Sequence, residues 1–437
     1  MTVIKRRIIL KKKAAYYRLL SIKIIIGLLI CLLPTTLFAV PLEGINGPDH
    51  ITLTWSDDPQ TTQTITWRTP VETVTGQVEY AEIASSPNVV SQVITVSAEN
   101  SLLSTNLSDV NLHFVTLHNL KSATRYRYRV GEGSTWSNEH TFFTAPAAAT
   151  KFKFLVFGDS QSINYNTWHT TLQQAYQANR DAAFFTNVGD LVDVGQDETH
   201  WNGWFDAVRG VIDTIPAMPV TGNHEMYTLE GHFSLPSLFT EQLKLPANGP
   251  EQLRGQAYSF NYGDVHFVVL DSQAGEEARF IPELLQIQRD WLEKDLAATD
   301  RKWKIVFMHR PPYNNKDDGS NPSVRRAFVP IFDKYHADVV FTGHDHAYAR
   351  TYPLYGDAPM DSAAKGTIYV ATGRSGTKTY SNTAGKEWNA FFYNPLDEPN
   401  YLTVEVADNS LTVKAFKSSG VLIDTWSIAK NSQVDFN

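Results

Sequence analysis

The alternation of apolar and polar residues divides the chain into two regions with different patterns. Between about residues 44 and 146, short runs alternate in character and are separated by polar or glycine- and proline-bearing segments. A period of two is typical of strands with one buried face. These runs cover residues 51–55, 64–67, 77–80, 113–117 and 126–130. The series of short strands predicts an all-β sandwich.

The last of these runs shows how the pattern assigns side chains to faces. We expect Tyr126 and Tyr128 to face the core, with Arg127 and Arg129 on the opposite face. This stretch, together with residues 141–144, resembles the final strands of a fibronectin type III-like domain. The region has no cluster of catalytic or ligand-type side chains. It is therefore interpreted as a packing or positioning domain, with a ligand-binding module as the alternative.

After a small-residue linker at 145–150, the pattern changes to apolar runs that alternate with helical stretches. Strands are predicted at residues 152–157, 182–188, 265–270, 304–308, 338–342 and 367–371. Helices are predicted around residues 170–180 and 284–296. Strands that alternate with helices indicate an α/β domain, and residues 401–429 return to an alternating β pattern. The predicted domains are residues 40–147 for the sandwich and 148–437 for the α/β domain.

Residues 1–39 differ from the rest of the chain. They contain eight basic residues and no acid, and an apolar run at 24–33 precedes Ala39. This order is typical of a secretory signal peptide cleaved after Ala39. The alternative is an uncleaved anchor, but a membrane span takes about 20 apolar residues. We expect a secreted or periplasmic protein that keeps no stable membrane anchor after cleavage.

Charge and cysteine content narrow the possible partners and ligands. Removal of the eight positive charges of residues 1–39 takes the formal net charge from −8 to −16. Because nucleic-acid binding depends on clustered basic residues, we expect no nucleic-acid partner. The single cysteine, Cys31, lies in the signal segment. Metal ligands in the mature chain must therefore be histidine, carboxylate or amide side chains.

Five short blocks carry such ligands beside glycines or where apolar runs end. They lie at residues 158–161, 189–193, 222–225, 308–311 and 343–346. Asn223, in the third block, follows a shorter strand-like run at residues 218–220. One such block would usually be a turn. Five of them at strand ends predict a shared site at one sheet edge, since carboxylates that cluster there repel each other unless a cation intervenes. The mixture of carboxylate, imidazole and amide favours a two-metal site.

The five blocks resemble those of the calcineurin-like metallophosphoesterases, over about residues 150–350. The closer resemblance is to the purple acid phosphatases, because of the preceding β-domain and the motifs at 309–313 and 343–350. It implies β-sheets packed as a sandwich and flanked by helices. It also implies hydrolysis of small phosphomonoesters, in which two divalent ions (Fe, Mn or Zn) activate a hydroxide that attacks phosphorus. The alternatives are a phosphodiesterase or nucleotidase of the same superfamily and a non-catalytic exported binding protein.

The resemblance also assigns roles to individual residues. Asp190 would bridge the two metals, and Asp159 and His346 would hold the first. The second metal would be held by one amide and two imidazoles, those of Asn223, His309 and His344. His224 would lie by the leaving group, either as a donor to the departing oxygen or as a stabiliser of the phosphoryl charge.

Two positions depart from the family pattern. Asp193 stands where purple acid phosphatases have the metal-binding tyrosine, so we predict an enzyme without the tyrosinate–iron colour. By resemblance to the Ser/Thr phosphatase branch, Asp193 would instead orient His224. Gln161 stands where many metallophosphoesterases have histidine. Its amide oxygen would either bind the first metal or hydrogen-bond to one of the ligands.

Several other residues are weaker candidates for the site. His266, inside an apolar strand, is interpreted as structural. Arg325 and Arg326 could contact a substrate phosphate, although a solvated helix face is favoured for at least one of them. The glycine-bearing stretch 373–376 resembles a phosphate-binding loop but is better interpreted as a turn after a strand. The sequence gives no account of the role of residues 375–400.

Overall fold

The computed structural model describes residues 47–84, 92–148, 151–316 and 321–430, all of which fall within one compact unit. The predicted signal peptide at residues 1–39 lies outside these ranges and stays a prediction. Within the described part of the chain, no helix is both long and apolar enough to cross a membrane.

The N-terminal region is a sandwich of two antiparallel sheets. Its strands are β1 (Asp49–Thr54), β2 (Gln63–Pro70), β3 (Gln77–Glu82), β4 (Ile94–Ser97), β5 (Glu99–Ser104), β6 (Asp109–Leu117), β7 (Arg125–Glu132), β8 (Thr135–Trp136) and β9 (His140–Phe143). One sheet has the order β1-β2-β6-β5, and the other has the order β4-β3-β7-β8 with β9 paired to β7. The predicted sandwich is therefore confirmed.

The faces of β7 follow the predicted alternation. Tyr126 and Tyr128 are buried in the sandwich core. Arg127 and Arg129 lie on the other face, where they pair with nearby glutamates. The period of two in the sequence thus sets which side chains pack between the sheets.

Among the described residues, the second region contains two large sheets, a two-stranded sheet and five α-helices. Its strands are β10 (Lys151–Phe157), β11 (Ala182–Asn187), β12 (Tyr258–Tyr262), β13 (Val265–Leu270), β14 (Trp303–Met308), β15 (Val339–Thr342), β16 (Tyr348–Thr351), β17 (Leu354–Tyr355), β18 (Ala358–Pro359), β19 (Ile368–Thr372), β20 (Asn389–Tyr393), β21 (Asn400–Ala407), β22 (Ser410–Lys417) and β23 (Leu422–Ala429). Its helices are α1 (Asn166–Ala178), α2 (Glu198–Val208), α3 (Ser237–Gln242), α4 (Leu284–Ala298) and α5 (Pro322–Tyr335). Strand β17 pairs with β18, and the orders of the two large sheets are β11-β10-β21-β22-β23 and β12-β13-β14-β15-β19-β16-β20.

These two sheets pack face to face through aromatic side chains. Phe154 stacks on Phe184 with ring centroids 4.9 Å apart. Phe267, from the opposite sheet, meets both rings edge-on at 5.3 Å and stacks on Phe307. Helices α1 and α2 contribute to this core, whereas α4 and α5 cover the outer face of the second sheet. The predicted arrangement of packed sheets flanked by helices is confirmed.

The β-sandwich is joined to the α/β region by backbone and side-chain contacts. Leu53 donates its N–H to the carbonyl of Ile212 and accepts from Ala217, both at 2.9 Å. The Arg68 guanidinium forms an ion pair with the buried carboxylate of Glu198. The N-terminal domain is thus held against the elements that lead into the third ligand block.

Parallel strand pairing places the first two blocks at one edge of the first sheet and the last two at one edge of the second, and the packing of the sheets brings these edges together, so the prediction of a single sheet edge was wrong. Strand β10 is parallel to β11, and β13, β14, β15 and β19 are mutually parallel along the second sheet. The carboxyl ends of neighbouring parallel strands lie at the same edge of a sheet, which is where α/β proteins place ligands.

The strand-like run before Asn223 is not a regular strand. Met218 and Val220 donate to β11 carbonyls at 2.9 Å, so this segment runs alongside β11. Pro219 lies between them at the position that faces away from β11, so its missing N–H leaves both hydrogen bonds intact. Residues 218–220 are therefore strand-like without being a regular strand, and they deliver Asn223 to the other ligand blocks.

Candidate metal centre

One group of ligand atoms is formed by the third, fourth and fifth blocks. Asn223 Oδ1 lies 3.2 Å from His309 Nε2 and 3.1 Å from His344 Nδ1. The two imidazole nitrogens are 3.3 Å apart, and Asp190 Oδ2 is 3.2 Å from His309 Nε2. Ligands bound at about 2.0–2.1 Å around a tetrahedral ion are separated by about 3.4 Å, so these spacings suit one cation.

A second group forms around the first block. His346 Nε2 lies 3.2 Å from Asp159 Oδ1. The Gln161 amide nitrogen lies 3.3 Å from His346 Nε2 and 3.2 Å from Asp190 Oδ2. Asp190 Oδ2 therefore belongs to both groups, which is the position of a bridging carboxylate oxygen.

The amide of Gln161 is buried, and its Oε1 has no hydrogen-bond partner among the described residues. A half-turn of the amide would exchange its two ends and point the oxygen at Asp190 and His346. Both roles predicted for Gln161 are compatible with this placement.

The donor set fits two divalent cations. Two carboxylates, three imidazoles and at least one amide converge, and two groups of three have their ligand atoms within 4.8 Å of one another. Such a mixture of hard and borderline donors is typical of Zn²⁺, Mn²⁺ and iron sites. The structure brings all seven predicted ligands together, while the assignment of each as a ligand stays a prediction.

Four of these ligands have a backbone conformation that is rare outside glycine. The φ angles are 49° at Asp159, 53° at Asp190, 69° at His344 and 53° at His346. Strained backbone of this kind costs about 1–3 kcal/mol per residue and concentrates at functional sites. These turns therefore position the candidate ligands although their backbone conformation lowers local stability.

Gly222 shows how tightly the blocks are packed. A Cβ at this position would lie 2.2 Å from the backbone nitrogen of Asp190 and 2.3 Å from its Oδ1. Only glycine allows the second and third blocks to approach this closely.

Glu225 holds these two blocks together, a role that the sequence did not predict. Its Oε1 accepts from the N–H groups of Leu191 at 2.8 Å and Val192 at 3.2 Å. Its Oε2 accepts from Asp190 at 2.9 Å and Gly222 at 2.6 Å. Burial and the charge of Asp190 raise the pKa of Glu225, whereas the backbone N–H donors oppose that rise. The only signal in the sequence was its place in the third block.

The charges of the candidate ligands are mutually dependent. Burial alone would raise the pKa of Asp190, but His309 and His224 outweigh it and hold that pKa well below its usual value. Burial also opposes protonation of His309, yet Asp190 raises the His309 pKa to about 9. Burial and the charge of His309 lower the pKa of His344. A positive charge between these groups is thus favoured by the surrounding carboxylates.

His224 lies at the edge of the two groups of candidate ligands. Its Nδ1 is 2.6 Å from the carbonyl oxygen of Asp193 and 3.4 Å from the Asp193 carboxylate. Its Nε2 is 4.0 Å from Asp190 Oδ2. The backbone carbonyl is therefore the closest Asp193 contact to His224, and the carboxylate is a weaker second contact.

Arg310, from the fourth block, contacts the back of a candidate ligand. Its Nη1 is 3.1 Å from His344 Nε2, and its Nε donates to Gln273 at 3.0 Å. It also forms an ion pair with Glu276. Sequence reasoning gave this arginine no role, because its partners come from a separate loop.

The weaker candidates lie outside the metal centre. Arg325 donates to Asp357 at 2.9 Å and stacks on a tyrosine ring. Arg374 is buried and donates to main-chain carbonyls, so the 373–376 stretch is the turn that follows β19. His266 is buried between Asn261 and Asp295, which confirms its structural role.

Two family models match this chain. The model described as calcineurin-like phosphoesterase matches residues 152–348. The model described as purple acid phosphatase, N-terminal domain, matches residues 48–144. Residues 152–348 are therefore similar to the calcineurin-like phosphoesterases. The N-terminal region is similar to the N-terminal domain of the purple acid phosphatases, so the predicted resemblance is confirmed.

Individual relatives agree with this classification. A purple acid phosphatase of Glycine max is 29% identical over 343 residues, which cover 73% of this chain and 68% of that protein. An uncharacterized protein of Mycobacterium tuberculosis is 28% identical over 316 residues, which cover 63% of this chain and 60% of that protein. The match thus spans about three fifths of the mycobacterial relative.

The fold also resembles that of a solved purple acid phosphatase. The structure of purple acid phosphatase PPD1 from yellow lupin seeds superposes with a TM-score of 0.75. It covers 89% of this chain and 75% of the lupin chain, with 20% sequence identity. This likeness supports the two-domain fold.

Proposed function

We propose that this chain is an exported phosphomonoesterase that uses two divalent metal ions. The observation that carries the proposal is the convergence of Asn223 Oδ1, His309 Nε2 and His344 Nδ1, which lie 3.1–3.3 Å from one another. Asp190 Oδ2 lies 3.2 Å from His309 Nε2 and completes four donors. Four side chains separated by tens of residues reach this spacing only when the fold builds a site.

The metal ions would be held by the two groups described above. Asp159, His346 and Asp190 would hold the first, with Gln161 as a further donor or hydrogen-bond partner. Asn223, His309 and His344 would hold the second, together with Asp190. When bound, the ions supply an activated water and neutralise charge that develops on the phosphoryl group.

His224 would act on the leaving-group side. A carbonyl oxygen can only accept a hydrogen bond, so the contact with Asp193 places a proton on Nδ1 of His224. Nε2 then faces the metal centre, and when it also carries a proton it is the atom that donates to a departing oxygen or stabilises phosphoryl charge. The contact with the Asp193 carbonyl fixes the ring in this orientation.

The Asn223→Ala variant tests the metal centre. We expect wild-type protein to contain about two ions per chain and to hydrolyse a nitrophenyl phosphate monoester. Asn223→Ala should lose the second ion and most of the activity, whereas Asn166→Ala, at the exposed start of α1, should retain both. Less than one ion per chain, with no hydrolysis that depends on Asn223, would leave the non-catalytic binding protein as the explanation.

The substrate preference is tested with two nitrophenyl esters. The phosphomonoester should be hydrolysed with the higher kcat/KM. A higher kcat/KM for the bis-ester would replace the monoesterase proposal with a phosphodiesterase.

Gln161→Leu separates the two roles of the glutamine. If Gln161 is a ligand, this variant should lose part of the first metal while the second is retained. Full occupancy of both sites in Gln161→Leu would make the glutamine a hydrogen-bond partner of the ligands.

The export proposal rests on residues 1–39. N-terminal sequencing of protein recovered outside the cytoplasm should begin at Val40. Recovery of the intact N-terminus in the membrane fraction would favour the uncleaved anchor.

A further inference from the structure

The turn after β19 is held tightly against the first ligand block. Ser375 donates its N–H and its hydroxyl to the Gly158 carbonyl, at 2.7 and 2.8 Å. Gly376 donates to the carbonyl of Asp159 at 2.9 Å. Thr377 donates to Ser162 Oγ at 3.1 Å. Four hydrogen bonds therefore fix the position of the residue that follows, Lys378.

Lys378 contacts both sides of the candidate site. Its carbonyl oxygen lies 2.8 Å from Nδ1 of His346, a candidate ligand. Its ammonium lies 2.8 Å from Nε2 of His224 and 4.0 Å from the Asp193 carboxylate. The side chain is one-third exposed, so it borders both the metal centre and solvent.

The position of the proton on the His224 ring determines which hydrogen bond the Lys378 ammonium makes with it. Nδ1 of His224 keeps its proton for the Asp193 carbonyl, so Nε2 accepts from the Lys378 ammonium. That nitrogen is also the one that faces Asp190, at 4.0 Å. The ammonium is consequently placed on the side of the ring where a substrate would bind.

Such a position suits a negatively charged group. The chain has a formal net charge of −8, so a phosphate ester must be attracted by local positive charge. An ammonium carries three donors, and only one is used by His224 at 2.8 Å. A phosphoryl oxygen close to His224 would be within reach of the remaining donors.

We propose that Lys378 is a substrate-binding residue, whose ammonium holds a phosphoryl oxygen beside His224 and favours monoester dianions over diester monoanions. This inference rests on the proposed function and names the substrate charge that the site selects. It also accounts for part of the 375–400 segment, to which the sequence assigned no role.

The test compares Lys378→Gln, Lys378→Arg and wild type, each loaded with metal. Lys414→Gln, on the exposed face of β22, is the matched control. We expect Lys378→Gln to raise KM for nitrophenyl phosphate by about 10- to 100-fold, as for a lost charge-assisted hydrogen bond. Because the interaction forms on binding, kcat should change far less. KM for the bis-ester should rise less, and Lys378→Arg should recover most of the loss.

Binding of inorganic phosphate, measured by calorimetry, gives a readout apart from turnover. Lys378→Gln should weaken phosphate binding by a factor similar to the change in KM, with metal content unchanged. A purely structural role, through the carbonyl contact with His346, would instead lower metal content or affect both esters equally. Either of those results, or KM and phosphate affinity within about twofold of wild type, overturns the inference.

The two proposals fail in different ways. A wild-type protein without activity on either ester would remove the proposed function, while phosphate binding would still decide the role of Lys378. An active wild type with an unaffected Lys378→Gln variant would remove the Lys378 inference alone.

Discussion

Replacement of Glu225 by glutamine tests whether one buried carboxylate fixes the metal-binding turns. The two oxygens of Glu225 accept four backbone N–H groups, two on each oxygen. Glutamine keeps the shape but replaces one oxygen with an NH₂ group. Whichever way its amide is turned, two of the four N–H groups would face another donor.

The expected cost follows from those two N–H groups. A buried donor left without an acceptor costs about 1–3 kcal/mol, so Glu225→Gln should lower the free energy of unfolding by about 2–6 kcal/mol. The turns that carry Asp190 and Gly222 would also separate, because both N–H groups bind the same oxygen. Metal affinity should therefore fall along with stability.

Two measurements separate these effects. Urea unfolding of metal-free protein gives the change in stability without a contribution from bound ions. Titration with a divalent cation then gives the affinity of the folded variant. Glu230→Gln, an exposed position a few residues further along, is the control and should match wild type in both assays.

A small effect would refute this reasoning. If Glu225→Gln unfolded within about 0.5 kcal/mol of wild type, the range of an ordinary surface substitution, Glu225 would not hold the turns. Normal stability with weakened metal binding would instead point to a direct effect on the site.

Three further predictions concern other parts of the molecule. Burial and the nearby Asp271 raise the pKa of Glu277 to about 10, so the folded protein retains a proton that the unfolded chain releases. The free energy of unfolding should therefore fall by up to about 1.4 kcal/mol per pH unit as the pH rises from about 4.5 towards 10. Urea unfolding of Glu277→Gln should show a shallower pH dependence. Arg68→Met would leave the buried carboxylate of Glu198 without its ion pair, so the free energy of unfolding in urea should fall by about 3–5 kcal/mol. An unchanged urea midpoint would contradict a stabilising role for the pair. If Asp193 stands in place of the metal-binding tyrosine, as the family resemblance predicts, iron-loaded protein should lack a strong visible tyrosinate band. If a band is recorded, Tyr380→Phe should be tested, since the Tyr380 ring lies 4.3 Å from that of His346.

The chemical identity of the site could be predicted from the sequence because its ligands lie in short blocks at strand ends. Strand periodicity placed Asp159, Asp190 and His309 at carboxyl ends of strands, where parallel pairing aligns neighbouring ends within each sheet and sheet packing brings the two sets together. The alternation in β7 likewise assigned Tyr126 and Tyr128 to the sandwich core. These features depend on local patterns that each segment carries in its own residues.

Other features depend on contacts between distant segments, which only the tertiary structure decides. The Lys378 ammonium meets His224 across 154 residues of sequence, and no local pattern marks Lys378. Residues 218–220 do not form a regular strand, yet their hydrogen bonds to β11 deliver Asn223. The sequence thus determined which candidate ligand side chains are present. The tertiary structure decided which side chains orient them, because orientation comes from packing between segments far apart in the chain.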